Sequence, residues 1–516
     1  MLAKCYSAAI YGVEARAVEI EVNSSIGVSQ FAIVGLPDAA VKEAKDRIPT
    51  ALRNQGLAAR KMEYDITVNL APADLKKEGP SFDLPIAVSL LKATGRIRNE
   101  HLDEFALVGE LALSGEVRKV HGVLPMVLEM RRIGKRAILV PCENAREASV
   151  VSGIDVIPVG TLQEAVMFLN GECTIEPRFT DLGALIDGAD DFADDFADIK
   201  GQTDARKAIE VAVAGGHNIL MIGSPGSGKT MLARRIPSIL PPLSVDEAIE
   251  VSRIHSVAGL SKGVEGFVRK RPFRAPHHTV SSIALLGGGS RPVPGEVSLA
   301  HRGVLFLDEF AEFPRAALEV LRQPLEDGHV AVSRAAAAYD FPSKFMLVAA
   351  MNPCPCGYYN DRRHSCRCPM SAIIKYQSRV SGPLLDRIDI QIEVPPVEVE
   401  RLPVMARGED SRTIRERVLA ARARQSARYK GLSGVHTNAE VRSRDLPDAC
   451  RFTAADCSRL VRMIERLNLS ARAYDKVLRV ARTLADLAES ESVRDEHIFG
   501  ALAYRKLDGE ENSFWV

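Results

Sequence analysis

An apolar run, Ile219-Leu-Met-Ile222, leads directly into Gly223-Ser-Pro-Gly-Ser-Gly228-Lys229-Thr230, and residues 231–236 continue with the pattern of a helix. No other stretch restricts the fold as strongly, because strand, glycine-rich turn and helix in immediate succession form the phosphate-binding unit of an α/β sheet. Gly223, Gly226 and Gly228 let the backbone curl so that successive N–H groups face phosphate oxygens, with Ser224, Pro225 and Ser227 completing the turn. The helix that follows adds its partly positive N-terminus. Lys229 then reaches the β- and γ-phosphates, and the Thr230 hydroxyl ligates Mg²⁺. A glycine-rich turn alone marks any loop; the full pattern between a strand and a helix predicts a bound nucleotide.

Gly303-Val-Leu-Phe-Leu-Asp308-Glu309 reads as a second buried strand of the parallel type, ending in two carboxylates. Acids at the C-terminal end of such a strand stand where open α/β sheets bind ligands. Asp308 is expected to hold Mg²⁺, directly or through water, and Glu309 to polarise the attacking water. A third apolar run, residues 344–351, ends in Asn352, well placed to orient that water beside the γ-phosphate.

The chain has 516 residues, enough for two to four domains. Its formal net charge is zero, so contact with nucleic acid or membrane must come from local patches. No apolar run reaches the roughly 18 residues of a membrane span, and the first eleven residues lack the build of a signal peptide, so a cytoplasmic location is expected. We divide the chain into an α/β domain (1–172), an acidic linker (173–198), the nucleotide-binding core (199–398) and a basic helix with a helical lid (399–516).

In the first domain, Val18, Ile20 and Val22 keep a two-residue period, residues 42–55 and 84–94 read as helices, residues 64–70 as a strand, 105–120 as a hairpin and 136–140 as a strand stopped by Pro141. Lys77-Glu78-Gly79-Pro80-Ser81 is similar to the serine context of the Lon proteolytic domain. That mechanism needs a lysine where this chain has Leu124. An unactivated serine is a poor nucleophile, and Ser81 is expected instead to cap a helix. The linker carries Asp-Phe-Ala-Asp twice in succession and reads as solvated.

Beyond the phosphate loop, Lys270-Arg-Pro-Phe-Arg274-Ala-Pro-His277-His278-Thr279 and Gly287-Gly-Gly289 read as inserted loops and short hairpins. Arg274, His277 and His278 suit phosphate contacts to DNA; metal binding by the two histidines lacks a third ligand at suitable spacing. Residues 318–325 read as a helix and 328–341 as a hairpin with Arg334 near its tip, either an ordinary surface turn or a DNA contact. Cys354-Pro-Cys356 and Cys366-Arg-Cys368 supply four thiolates for one tetrahedral Zn²⁺, although Cys-x-Cys is tighter than the usual knuckle; nothing apolar nearby would bury four free thiols. Arg387 at a helix end is a candidate finger for a neighbouring subunit's ATP, or a partner of Asp386 or Asp389. Arg412, Arg415, Arg417, Arg422, Arg424 and Arg428 share one helix, which is either a solvated face or a phosphate track. Residues 453–506 read as a helical bundle in which Arg472, near the start of a helix, can lean over the γ-phosphate.

Together these motifs resemble the magnesium-chelatase-like AAA+ ATPases, in particular the ComM (YifB) competence family. The resemblance runs through Asp198-Ile-Lys-Gly-Gln202, the phosphate loop, Arg274-Ala-Pro-His-His278, Leu307-Asp-Glu309, Asn352-Pro-Cys-Pro-Cys-Gly357, 381–389 and Leu469-Ser-Ala-Arg472-Ala-Tyr474. It implies an AAA+ P-loop core with a helical lid behind a Lon-like domain. It also implies Asp308 and Glu309 as the Walker B pair, Asn352 as sensor 1, Arg387 as finger and Arg472 as sensor 2. Such proteins are homohexameric motors on DNA, and the family's branch-migration helicases act on single-stranded and branched DNA during natural transformation, with recombination proteins as possible partners. A chelatase-type motor that remodels a protein for metal insertion, an ATP-dependent protease and a non-enzymatic scaffold are the rival readings.

Overall fold

The computed structural model describes residues 1–27, 30–57, 64–187, 192–260, 266–289, 292–333, 338–361, 363–396, 407–432, 434–449, 451–466 and 471–505. Two sheets organise it. The first has seven strands in the order Phe31–Val34, Tyr64–Ala71, Glu14–Ile26, Leu2–Tyr11, Phe105–Leu107, Ala137–Pro141, Asp155–Val159. Its long antiparallel hairpin pairs Tyr11 with Glu14 at the turn; Tyr64–Ala71 joins Glu14–Ile26 antiparallel, and the remaining pairs are parallel. Helices Ala44–Asn54 and Asp83–Ala93 cover one face and helix Val123–Arg132 the other, which gives this domain two apolar clusters.

Three expectations for this half need correction. Phe105–Leu107 is not a hairpin arm but a fully buried parallel strand of the main sheet; only Glu110–Leu111 and Val117–Arg118 pair across the Ser114-Gly115 turn. Ser81 is no cap: it is buried in the middle of a single 3₁₀ turn, Pro80–Phe82, that runs straight into the next helix. The acidic segment is not solvated throughout. Helix Leu182–Asp187 packs Ile186 against Leu243, Ala248 and Val251, and Phe196 and Ile199 are fully buried. Composition missed this because a few apolar residues suffice to anchor a chain whose aspartates still face water.

The second sheet is all parallel, in the order Phe273–Arg274, Val304–Leu307, Met346–Met351, Ile219–Ile222, Ile390–Glu393. Its three central strands are buried along their whole length, as a sheet covered on both faces requires. The predicted helix at 318–325 is split into Arg315–Glu319 and Arg322–Asp327, since Pro324 lacks the N–H that would bond to residue 320. His329–Ser333 and Ala338–Pro342 pair as the expected hairpin; Arg334 lies outside the described residues.

The lid comprises helices Ala454–Arg466, Ala471–Leu487 and Asp495–Ala503, joined to the core by helix Ser411–Arg428. That basic helix is not an open phosphate track. Arg417 forks onto Glu210 and Glu409, and Arg422 donates to the Val213 carbonyl 2.7 Å away. Arg424 meets Glu489 and the Asp486 carbonyl, and Arg428 pairs with the Asp486 carboxylate. These cations tie the lid to the core, and among the six only Arg412, paired with Glu416, is almost fully exposed.

Asp486 holds this joint together. Fully buried, it accepts from Arg482 at 2.8 Å and from Arg428 and Asn438 at 3.0 Å each. Asp486→Ala would leave two guanidinium groups in the interior without their anion and is expected to cost about 3–5 kcal/mol. Glu416→Ala, at an exposed pair, should cost less than about 1 kcal/mol. Hydrogen exchange of helix Ala471–Leu487 in the two variants measures the difference.

Candidate nucleotide site

Because the second sheet is parallel, the C-terminal ends of its strands share one edge, and the turn after each delivers a side chain there. Strand Ile219–Ile222 leads into the phosphate loop, Val304–Leu307 into Asp308, and Met346–Met351 into Asn352. Gly228 has φ +93° at the N-cap of helix Lys229–Ile239, a conformation that side chains other than glycine rarely adopt. Gly223 serves differently: a Cβ there would lie 2.3 Å from the Val394 carbonyl, so any side chain would push the loop off the sheet.

The edge is assembled around Lys229. Its buried ammonium donates to the Gly223 carbonyl at 2.7 Å, the Ser224 carbonyl at 3.1 Å and Asn352 Oδ1 at 3.3 Å. Burial lowers its pKa to about 8, only partly opposed by the Asp308 charge. A desolvated cation bonded to neutral oxygens is a site suited to an anion, which fits the phosphates of ATP. Thr230 Oγ1 donates to Asp308 Oδ2 at 2.7 Å, which puts the two expected Mg²⁺ ligands side by side. Held there, Mg²⁺ would neutralise charge developing on the phosphates. Glu309 follows in the left-handed region, φ +53°.

The structure adds partners that the motifs do not reveal. His278 Nδ1 stands 2.9 Å from Glu309 Oε2, and its ring lies 4.1 Å from that of His277. His278, predicted as a DNA contact, is therefore joined to the proposed catalytic carboxylate, while His277 bonds Thr279. Arg274 forks onto Glu296 at 2.6 and 2.7 Å, so its charge is committed within the chain. Gln202, with φ +54°, donates to the Ser227 and Pro395 carbonyls and clamps the phosphate loop to the end of the sheet. Neither His278 nor Gln202 carries a local signal for these roles, since both depend on contacts across the fold.

Arg387 lies at the opposite edge, before strand Ile390–Glu393, where it donates to the Pro383 carbonyl and pairs with Glu326. Four strand residues at about 3.3 Å each separate the two edges, so Arg387 faces away from the nucleotide loop of its own chain. It opens onto a groove of about 1770 Å³ shared by the two large domains and the lid. Helix Ala471–Leu487 begins where expected, but the side chain of Arg472 lies outside the described residues.

The four clustered cysteines meet. Their sulfurs all lie within 4.8 Å of one another, and those of Cys354, Cys356 and Cys366 are separated by 3.4, 3.6 and 3.7 Å. Tetrahedral Zn²⁺ with bonds near 2.3 Å would place them about 3.8 Å apart, so the donor set fits that ion. Burial pushes the Cys356 thiol up, but the Arg367 and Tyr358 N–H groups and the adjacent thiols bring it down to about 6. The loop rests on the nucleotide site: a Cβ on Gly357 would lie 2.5 Å from Pro225 Cδ. Gln377 also donates to the Pro353 carbonyl just after Asn352.

Three parts of the chain match the magnesium chelatase family: residues 195–402 and 20–144 its subunit ChlI, and residues 408–505 the ChlI C-terminal region. Competence protein ComM of Haemophilus influenzae is 43% identical over 98% of both chains. The chain belongs to the ComM/YifB family of magnesium-chelatase-like AAA+ proteins. YifB of Escherichia coli is 41% identical over 98% of this chain and 97% of its own. A 126-residue stretch, 24% of this chain and 22% of the other, is 29% identical to Lon protease 2 of Bacillus subtilis. In this family member Leu124, buried with its N–H on Glu147, stands where the protease pattern requires lysine.

Two outcomes follow from this geometry. With its pKa near 8, the Lys229 ammonium of the empty protein is charged below that pH and neutral above it, and bound phosphate would recharge it. ATP binding should therefore take up a proton at about pH 9 but not at about pH 7, as titration calorimetry in buffers of different ionisation enthalpy would show. Elemental analysis should find one zinc per chain, lost in Cys366→Ser.

Proposed function

We propose that the protein is an ATP-driven translocase of single-stranded and branched DNA, working as a ring of identical subunits, and that its motor promotes branch migration. The observation that carries this reading is the division of the parallel sheet between two edges. Lys229, Thr230, Asp308, Glu309 and Asn352 stand at one edge, and Arg387 at the other. A finger placed at the edge far from its own nucleotide would complete a site on a neighbouring subunit, which supports hydrolysis between the subunits of a ring.

In this mechanism Lys229 and the loop N–H groups bind the triphosphate, while Thr230 and Asp308 hold Mg²⁺. Glu309 takes the proton of the attacking water, Asn352 orients that water, and Arg472 approaches from the lid. A neighbour's Arg387 stabilises the charge that develops in the transition state. Because His278 engages Glu309, movement of the loop bearing His277 and His278 would change the availability of the base. Hairpin residue Arg334 supplies a grip on DNA. The competence role named in the H. influenzae relative suits such a motor. Zinc at the four cysteines braces the loop beneath the nucleotide. A cytoplasmic location is part of this reading; no described helix is long and apolar enough to cross a membrane.

Mixing supplies the test. Lys229→Ala and Arg387→Ala should each abolish DNA-stimulated ATP hydrolysis, the latter by about 10³-fold or more. Combined, they should recover part of it, because one subunit offers an intact nucleotide site and the other an intact finger. No recovery would remove the shared site. Turnover of the wild type that ignores branched and single-stranded DNA at every salt concentration would favour a motor acting on a protein partner.

A further inference from the structure

The hairpin of His329–Ser333 and Ala338–Pro342 does not stand free; its base sits on the first domain. Val13, in the turn between strands Leu2–Tyr11 and Glu14–Ile26, is buried in one cluster with Val330 and Phe341 of the hairpin and with Ile254 and Leu299. Gly12 lies alongside the hairpin: a Cβ there would be in ordinary contact, 3.5 Å, with the Asp340 carbonyl. Tyr11 Oη donates to the Ala338 carbonyl at 3.1 Å, and Glu14 lies 3.5 Å from Arg253.

Apolar docking accounts for Val13, Val330 and Phe341, which are all buried. It does not account for the solvent edge of the same seam. There the Tyr11 and Tyr339 rings stand 5.1 Å apart at 39°, and the Arg16 guanidinium lies 4.0 Å over the Tyr11 ring. Arg16 is exposed and both tyrosines are only half-buried, so a planar cation and two π-systems form a row that water can reach. A contact meant only to hold domains together gains most from burying such rings fully. Partly open aromatic rings beside an arginine are the surface on which unpaired bases stack, whatever their sequence.

We propose that Arg16, Tyr11 and Tyr339 form a stacking platform for the bases of single-stranded DNA, built half by the first domain and half by the hairpin. The proposal rests on the DNA-translocase reading and gives the first domain a part in it. Because Tyr11 and Tyr339 come from different domains, the row exists only while the hairpin is docked, so a strand held there favours the docked hairpin. Lys76 pairs with Glu78 at 2.7 Å, and Tyr339 feels both charges. The tyrosines therefore contribute by stacking, while Arg16 keeps its charge in the variants below.

The experiment uses the full chain with a non-hydrolysable ATP analogue and an oligothymidylate carrying 2-aminopurine. Wild-type protein should quench the fluorophore. The double variant Tyr11→Leu/Tyr339→Leu keeps apolar bulk at the seam but should lose the quench and about 5- to 150-fold in affinity, the worth of one stacked base. The slope of log affinity against log salt should stay unchanged, since no phosphate contact is removed. Tyr11→Phe/Tyr339→Phe should behave as the wild type. Unaltered quenching in the leucine variant would overturn the platform, and so would a loss of affinity accompanied by a shallower salt slope, which would mean that the tyrosines only position cations. Wild-type protein that binds and quenches, but whose turnover ignores DNA, would sink the translocase reading and leave the platform standing.

Discussion

The nucleotide edge depends on one unfavourable act, the burial of the Lys229 ammonium among neutral oxygens. In the empty protein those carbonyls replace only part of the lost hydration, and the lowered pKa records the deficit. The same bonds hold the surroundings in order. The Gly223 and Ser224 carbonyls keep the loop curled, and Asn352 is drawn to the position from which it would face the γ-phosphate. A polyanion that displaces these oxygens meets a site already assembled, which is how an electrostatic site avoids reorganisation during reaction.

The second constraint is that parallel strands have two distinct ends. Asn218, at the start of the strand that feeds the phosphate loop, binds two other segments at once. Its side chain donates to the Arg387 carbonyl and accepts from Leu347 N, while its N–H meets Asp389. The strand that leads to Asn352 and the turn that bears Arg387 are thereby tied to the strand that leads to Lys229. Beneath this joint, Asp389 is held well below the usual carboxylate range: burial opposes ionisation, but His217, Lys476 and Arg479 outweigh it. Lys476 and Arg505 both donate to the Ile388 carbonyl, which brings the lid into the same junction. A handful of buried polar contacts thus joins two strands, the turn of Arg387 and the lid at this edge of the sheet.

The insertions serve the same site from outside. The loop of four cysteines presses Gly357 against Pro225, the inserted segment before Val304 brings His278 to Glu309, and the hairpin leans on the first domain through Val13. The inserted segment and the hairpin anchor themselves through buried residues such as Leu285, Val297, Val330 and Phe341. The first domain has the scaffold of a protease without the lysine, and what it demonstrably contributes is a seat for the hairpin.

Much of this was legible from the chain alone. The eight-residue loop, the paired acids after an apolar run and the spacing of four cysteines each specify local chemistry, because the ligands lie within a turn or two of one another. Periodicity placed most strands and helices for the same reason. What failed depended on distance. Phe105–Leu107 was misread as a hairpin arm because only the complete sheet reveals it as an interior strand. Arg417, Arg422, Arg424 and Arg428 suggested a phosphate track until Glu210, Glu409, Val213, Asp486 and Glu489 were found beside them. The sequence determined which groups are available for chemistry. Only tertiary structure decided which of them are already paired, since an arginine's partner can lie hundreds of residues away and electrostatic attraction depends on separation in space alone.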